Sequence, residues 1–238
     1  MSNRIKFIGK EQSNRNRRFQ QSNVCRDSTV LAAHFGNEDR RQVAASQEAC
    51  MRYEIRKIEV VAYRNEWKVQ FERLRDYFDS LLHEYLRSIE HVGSTSVEGC
   101  CAKPIVDLDL VLYSLNDFEK VKKILQKAGF EHRGDLGIPG RESFRNFFPD
   151  DFGEYHLYVC DPSSRKFLEH IVLREYLRNH EDARDRYSEL KLQLAQAYPF
   201  DIDSYIDGKS QLIENILSTV EAVQTMDEWR KKGSCQGL

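Results

Sequence analysis

The chain has 238 residues, of which 40% are hydrophobic and 11% aromatic, so it can bury the core of one folded domain with extensions. Its 36 basic and 38 acidic residues give a formal charge of -2, which excludes a global attraction to nucleic acid or to an anionic membrane surface. Its apolar runs are far shorter than the roughly 20 residues of a membrane-spanning helix. We therefore expect a soluble, cytoplasmic protein whose six cysteines are reduced thiols.

The ends of the chain differ in composition from its middle. Residues 1–52 are rich in Asn, Gln, Ser and Arg and show no apolar periodicity, which is typical of a disordered or loosely attached extension. The first 24 residues hold six Lys or Arg against one Glu, so an organelle-targeting peptide and an RNA-contacting arm are the alternatives. We expect the folded domain to span residues 53–222 and a flexible tail to follow at 223–238.

The middle of the chain reads as alternating strands and helices. Period-two and period-three-to-four apolar patterns predict strands at 57–62, 89–92 and 104–113, helices from Asn65 and from Asn116 to Ala128, and aromatic strands near 143–148 and 155–160. The last third predicts three helices, at 163–178, from Asn179 and at 203–220. The expected fold class is α+β: a mixed sheet flanked by helices, with the helical C-terminal part packed on it.

The strand predicted at 104–113 carries two acids. Because side chains alternate along a strand, Asp107 and Asp109 share one face, while the other face is apolar. Their Cβ atoms would lie roughly 6 to 7 Å apart, and two like charges at that distance in a half-buried place repel each other unless a cation lies between them. The pair therefore predicts a divalent metal site.

A turn of small polar residues precedes the acidic strand. Gly93 allows a close approach of the backbone, so that main-chain N–H groups and the Ser94 hydroxyl can face phosphate oxygens. Thr95 and Ser96 add further hydroxyls. A polar loop of this kind also occurs without any ligand, so the turn gains its meaning from the acids that follow it.

Together, Gly93-Ser94 and Asp107-Leu-Asp109 resemble the hG[GS]…DhD signature of the DNA polymerase β-like nucleotidyltransferase superfamily. More closely, residues 91–110, HVGSTSVEGCCAKPIVDLDL, resemble the core of the GrpB family. Three further segments are similar to that family in the same order: 59–67, 156–159, and 174–178 with Tyr205 and Gly208-Lys209. The resemblance covers residues 57 to 217 and departs from the family pattern at Glu98, Cys100, Tyr158 and Glu175.

The resemblance implies a nucleotidyltransferase-type fold and suggests the transfer of a nucleoside monophosphate from an NTP such as ATP to an unknown acceptor. In that reaction Asp107 and Asp109 would hold one or two Mg²⁺ or Mn²⁺ ions. Glu154, which shares a strand face with His156, is the candidate third carboxylate, with Asp150 and Asp151 as alternatives. Otherwise Glu154 is an exposed acid at a strand end.

The remaining candidates are a base and three cations. His156 is the candidate general base or phosphate donor, or else a histidine that is hydrogen-bonded within the sheet. Lys103, Arg174 and Lys209 are the candidate partners of a triphosphate. Two other functions remain open: a nucleotide-binding or regulatory module without catalysis, and an interaction protein that uses its basic N-terminal arm.

Overall fold

The computed structural model describes residues 56–146 and 151–234. The described helices and strands, in chain order, are α1 (Glu66–Leu82), β1 (Leu86–Val92), β2 (Val106–Leu112), α2 (Phe118–Lys127), β3 (Phe130–His132), β4 (Arg141–Asn146), β5 (Tyr155–Cys160), α3 (Arg165–Asn179), α4 (Glu181–Ala197), α5 (Ile202–Leu217) and α6 (Val220–Ser234). Short 3-10 turns occupy Ser94–Ser96 and Leu115–Asp117.

The five strands form one mixed sheet in the order β1-β2-β5-β4-β3. The central pair, β2 and β5, is parallel, whereas the other neighbours are antiparallel. In this register Asp107 lies opposite His156, and Asp109 lies opposite Tyr158. Because paired residues project from the same face, the acidic pair and His156 share one side of the sheet.

The two sides of the sheet bury different helices. On one side, α1 and α2 cover the main core, which holds Leu74, Phe78, Val121, Leu125 and the apolar face of β2. On the other side, α3 packs Phe167, Leu168 and Ile171 against Val111 and Cys160. The helical C-terminal part therefore packs on the sheet, as the sequence predicted, and the structure places α3 on its acidic face.

A third cluster joins the C-terminal helices to the loop between β1 and β2. Leu177 of α3, Tyr187 of α4 and Ile216 of α5 surround Val97 and Cys100, and all five residues are buried. These apolar contacts hold three helices next to the Gly-Ser turn, which positions their polar side chains for the site described below.

Two expectations from the sequence differ from the structure. The strand predicted at 57–62 is reduced to one isolated bridge between Val61 and Ala102. Residues 223–234, expected as flexible tail, belong to helix α6, because Ala222, Met226 and Trp229 recur at helical spacing and the Trp229 ring lies 6.0 Å from that of Phe167. Residues 1–52 and 235–238 lie outside the described part. Within that part, no helix combines the length and the apolar character needed to cross a bilayer.

Candidate functional site

The Gly-Ser turn is built around a glycine that no other residue can replace without strain. Gly93 has φ 70 and ψ -174, a backbone conformation that is essentially restricted to glycine. A Cβ atom at this position would lie 2.2 Å from Oδ2 of Asp107, well inside van der Waals contact. The absent side chain thus allows the turn to lie directly against the acidic strand.

Buried hydroxyls hold the turn in shape. Thr95 Oγ1 lies 3.0 Å from Nε2 of His91 and donates to the carbonyl of Ile105 at 3.3 Å. The Ser96 hydroxyl donates to the Gly93 carbonyl at 2.6 Å. The His91 ring stacks on Phe71, and its burial lowers the pKa of His91 to about 4, so His91 is neutral at neutral pH. These hydrogen bonds set the turn's geometry.

Asp107 faces the site as an ionised carboxylate. Its Oδ1 lies 2.8 Å from Nδ1 of His156, and both side chains are about one-third exposed, at 32%. Burial by itself would raise the pKa of Asp107, but the hydrogen bond from His156, together with electrostatic interactions with His156, His170 and Lys103, lowers this pKa below its ordinary value.

Asp109 lies deeper than Asp107. Its side chain has no exposed surface, and its Oδ2 lies 2.8 Å from Nδ1 of His170, a residue of α3. Its Oδ1 is also buried and has no hydrogen-bond partner among the described residues. The buried thiol of Cys160 lies nearby, and burial together with the charge of Asp109 raises the pKa of that thiol. A buried carboxylate oxygen of this kind is a candidate ligand atom.

The turn, the acidic strand and three C-terminal helices enclose a cavity of about 220 Å³. It contains most of the predicted site residues, namely Gly93, Ser94, Thr95, Lys103, Asp107, His156 and Lys209. Four lysines line it, because Lys166 and Lys191 join the two predicted ones. This combination of one acidic strand with several amines is suited to a ligand that carries both metal-binding and amine-binding anionic groups.

Lys191 connects helix α4 to the turn. It is only 2% exposed, and its Nζ donates to Ser94 Oγ at 2.8 Å and to the Cys101 carbonyl, and lies 3.2 Å from Cys100 Sγ. Burial lowers the pKa of Lys191. Lys191 was not among the predicted site residues, although its position four residues after Tyr187, on the same helix face, was a signal.

Four predicted residues do not line the cavity. Ser96 is turned into the loop, and Asp109 is buried behind His170. Arg174 is buried and bonds Glu90, Glu175 and the His91 carbonyl, so it braces strand β1 instead of facing a triphosphate. Glu154 is exposed at the start of β5. Its main-chain carbonyl accepts hydrogen bonds from Gln70 and from the Val106 amide.

The acidic pair fits one way of binding a metal. Mg²⁺ commonly takes one or two carboxylates and completes its shell with water and substrate phosphates. Asp107, which lines the cavity, matches that donor set. Asp109 would contribute from behind it through its buried Oδ1, which has no hydrogen-bond partner among the described residues. A site made wholly of protein ligands does not fit, because the described residues contain no group of three or more His, Cys, Asp or Glu side chains arranged to hold a metal.

Comparison with known proteins assigns the chain to a family. The family model described as GrpB protein matches residues 57–219. The chain belongs to the GrpB family. Glutamate-rich protein GrpB of Alkalihalophilus pseudofirmus is 32% identical over 162 residues, which cover 67% of this chain and 93% of that protein. UPF0157 protein YqkA of Bacillus subtilis is 27% identical over 179 residues, 75% of this chain but only 50% of YqkA.

A solved family member supports the same conclusion in three dimensions. The crystal structure of conserved protein GrpB from Enterococcus faecalis is 28% identical and has a TM-score of 0.60, covering 72% of this chain and 99% of that one. The predicted GrpB family and the predicted α+β fold, a mixed sheet with flanking helices, are therefore confirmed. The roles of the individual site residues stay predictions.

Proposed function

We propose that this GrpB-family chain is a metal-dependent nucleotidyltransferase that moves a nucleoside monophosphate from an NTP such as ATP to an acceptor hydroxyl, with pyrophosphate as the leaving group. The observation that carries the proposal is the close contact between the Gly-Ser turn and the acidic strand. At Gly93 the backbone lies so near the Asp107 carboxylate that a Cβ atom would not fit between them. A phosphate bound by the turn would then lie next to the carboxylate that holds the metal. Fold alone would not support a reaction, whereas this juxtaposition does.

Mg²⁺ or Mn²⁺ held by Asp107 and Asp109 would neutralise charge on the attacking and leaving oxygens. The chain's own groups would position the substrates. Ser94 would offer its hydroxyl to a phosphate oxygen, with Lys191 fixing that hydroxyl at 2.8 Å. Lys103 and Lys209 face the same cavity and add positive charge.

His156 is suited to accept a proton from the acceptor hydroxyl. An ionised carboxylate can only accept hydrogen bonds, so His156 donates to Asp107 through Nδ1. Its Nε2 is then the nitrogen that can take up a proton, and His156 lines the cavity. Asp107 would therefore serve both as a metal ligand and as the group that orients the base.

A second candidate function is a nucleotide-binding or regulatory module without catalysis. The specific observation that favours it is the exposed position of Glu154, since the candidate third carboxylate does not line the cavity. Such a module would bind NTP at the same residues but would not turn it over. The interaction function, through the basic N-terminal arm, concerns residues outside the described part.

The two functions can be separated with labelled substrates. The purified chain is incubated with α-³²P-labelled ATP, GTP, CTP and UTP, Mg²⁺ or Mn²⁺, and a fractionated cell extract as the source of acceptor. Transfer to an acceptor is expected with the unaltered chain and is expected to fall by about a thousandfold or more in Asp107→Asn and Asp109→Asn. Asp79→Asn, which changes an exposed acid on α1, is the matched control.

Each result bears on one function. Label transfer that is lost in both variants but kept in Asp79→Asn supports nucleotidyl transfer. Label binding without transfer in every fraction supports the binding module instead. Transfer that persists in both aspartate variants would falsify the metal-dependent proposal, provided that urea unfolding shows the variants to be folded.

A further inference from the structure

Four amines converge on one cavity from four parts of the fold. Lys103 comes from the loop before β2, Lys166 from α3, Lys191 from α4 and Lys209 from α5. Among the described residues, Lys166 pairs with Glu169 at 3.3 Å and the other three form no salt bridge. Lys191 is satisfied within the fold, because it donates to Ser94 Oγ and to the Cys101 carbonyl. A cavity that partly buries the remaining amines, those of Lys103 and Lys209, favours an anionic ligand.

The cavity's own acids do not balance this charge. Asp107 is bonded to His156, and Glu169 is shared between Lys166 and Arg165, which lies 2.9 Å away. Lys103 and Lys209 instead lie over the Tyr205 ring, with Nζ 5.8 and 4.4 Å from its centroid. A ring face is a weaker partner for an ammonium group than a phosphate oxygen is.

The electrostatic effect of the cluster is visible at Lys209. Burial is the main cause that lowers the pKa of Lys209 to about 8, and the charges of Lys103, Lys191 and Lys166 lower it further, while Asp107 opposes them. The pKa values of Lys103 and Lys191 are also lowered by burial. An anion placed among these amines would relieve their repulsion.

The rest of the lining offers little to recognise a nucleobase. Apart from apolar residues and the turn, the aromatic side chains of the lining are two tyrosines and two histidines. Tyr187 and Tyr205 are buried, at 4% and 1% exposure, so they present no open ring face for stacking. The His156 and His170 rings are held by hydrogen bonds to Asp107 and Asp109. Base recognition in proteins relies on stacking faces and on hydrogen-bonding edges. The binding contacts of this cavity are therefore concentrated on phosphate.

From the lysine cluster, we propose that the cavity binds a polyphosphate chain directly, without a metal ion and with little regard to the base attached to it. The inference rests on the proposed function for the kind of ligand, and extends it in two ways. Inorganic tripolyphosphate should bind as an NTP does, and metal should be needed for transfer but not for binding. Lys103 and Lys209 would contact the phosphates directly, whereas Lys166 and Lys191, which already bond Glu169 and Ser94, add positive charge around the same cavity.

The direct test measures tripolyphosphate binding by calorimetry in EDTA, which removes divalent metal. We expect binding in EDTA within about tenfold of that of ATP, and no measurable binding of adenosine. Lys209→Gln and Lys103→Gln should each weaken tripolyphosphate about tenfold or more, the worth of one charged hydrogen bond. Lys68→Gln, at an exposed position of α1, is the matched control and should bind normally.

Acid–base linkage adds a second readout. An anion raises the pKa of Lys209 above its free value of about 8, so binding is favoured where Lys209 is protonated and weakens as pH rises through that value. The other groups that face Lys209 are Lys103, Lys166, Lys191, Asp107 and the Tyr205 hydroxyl. Tripolyphosphate affinity should therefore fall between about pH 7 and pH 10, and less steeply in Lys209→Gln.

Two results would overturn the inference. One is tripolyphosphate binding that appears only when Mg²⁺ is added, and the other is unchanged affinity in both lysine variants. Both readouts concern binding, whereas the proposed function is judged by label transfer. If polyphosphate binds without metal but no label is transferred, the proposed reaction is wrong and this inference stands. If label is transferred but tripolyphosphate binds only in the presence of metal, the proposed reaction stands and this inference is wrong.

Discussion

The seven residues of strand β2 alternate between two faces of the sheet, and the two faces have different environments. On one face Val106, Leu108, Leu110 and Leu112 have no exposed surface and belong to the main core. On the other, Asp107 is partly exposed in the cavity and Asp109 is buried against His170. Apolar burial stabilises the fold, whereas burying the acids requires partners supplied from elsewhere in the chain. One face thus determines stability and the other determines chemistry.

The largest expected effect comes from the apolar face. Leu108→Ala should lower the free energy of unfolding by about 4 kcal/mol, within the roughly 2 to 5 kcal/mol found for buried Leu→Ala changes, because it leaves a cavity under α1 and α2. Urea unfolding measures this. Leu115→Ala, at a position that is 50% exposed, is the control and should change stability by less than about 0.5 kcal/mol.

This variant also tests whether the two faces are separable. At a temperature where Leu108→Ala is still folded, its affinity for tripolyphosphate should match that of the unaltered chain, because no cavity-lining residue has changed. A large loss of affinity in the folded variant would mean that the core face also sets the position of the acids, and the division between the faces would not hold.

His91, which pairs with Leu108 and therefore lies on the apolar side of the sheet, gives that side a pH dependence of its own. Its folded pKa of about 4 lies below the ordinary value of 6.5, so the unfolded chain binds a proton that the folded chain excludes. Stability from this group is complete above the unfolded value and is lost as pH falls toward the folded value, in total about 3 kcal/mol. His91→Gln should flatten the decline in unfolding free energy between these two pH values, measured by urea titration at each pH.

Asp107 does not contribute to the decline in unfolding free energy between these two pH values. Its pKa is lowered below 3.8, so the stability it contributes is present above that value and is lost only at lower pH. An equally steep decline in His91→Gln would show that another group titrates in this window, and His91 would then not be the buried neutral residue described above.

Gly93→Ala tests the contact between turn and strand. The substitution places a Cβ atom against Asp107 Oδ2 at a positive φ and should cost about 2 kcal/mol in stability, with loss of phosphate binding. Gly137→Ala is the matched control, since Gly137 also has a positive φ, of 76, but meets nothing within 4 Å. Equal stability losses in the two variants would mean that the backbone conformation, and not the approach to Asp107, explains the glycine.

The sequence was most informative where the pattern is local. Alternation within one strand was enough to predict that Asp107 and Asp109 share a face, and the turn glycine was evident from its neighbours. Partners that are distant in sequence were missed: Lys191 contacts Ser94 across 97 residues, and His170 contacts Asp109 across 61. Such pairs depend on how helices pack on the sheet, which periodicity does not specify.

Arg174 and helix α6 illustrate the same limit from the other side. The charge of Arg174 suggested a phosphate partner, but the register of α3 on β1 brings Glu90 within 2.9 Å and satisfies the guanidinium inside the fold. Helix α6 has a polar composition, and Ala222, Met226 and Trp229 can be recognised as a buried face only once α6 is seen to pack beside α3. In both cases the local sequence allowed two structural roles, and tertiary packing determined which of them the residues have.

The smallest expected effect concerns Glu154, which shares the acidic face by alternation but lies at the exposed start of β5. Glu154→Gln should change nucleotidyl transfer by no more than about threefold, since exposed charges interact weakly with their surroundings, although Glu154 does raise the pKa of nearby Lys103. The same substitution at Glu169, which lines the cavity and pairs with Lys166, should alter transfer more. Label transfer at saturating NTP measures both.

A large loss of transfer confined to Glu154→Gln, with normal tripolyphosphate affinity, would mean that β5 moves this carboxylate toward the acidic pair during the reaction. Glu154 shares a face with the acidic pair but lies beyond the cavity, so its side chain would then have to move along the sheet when substrate binds.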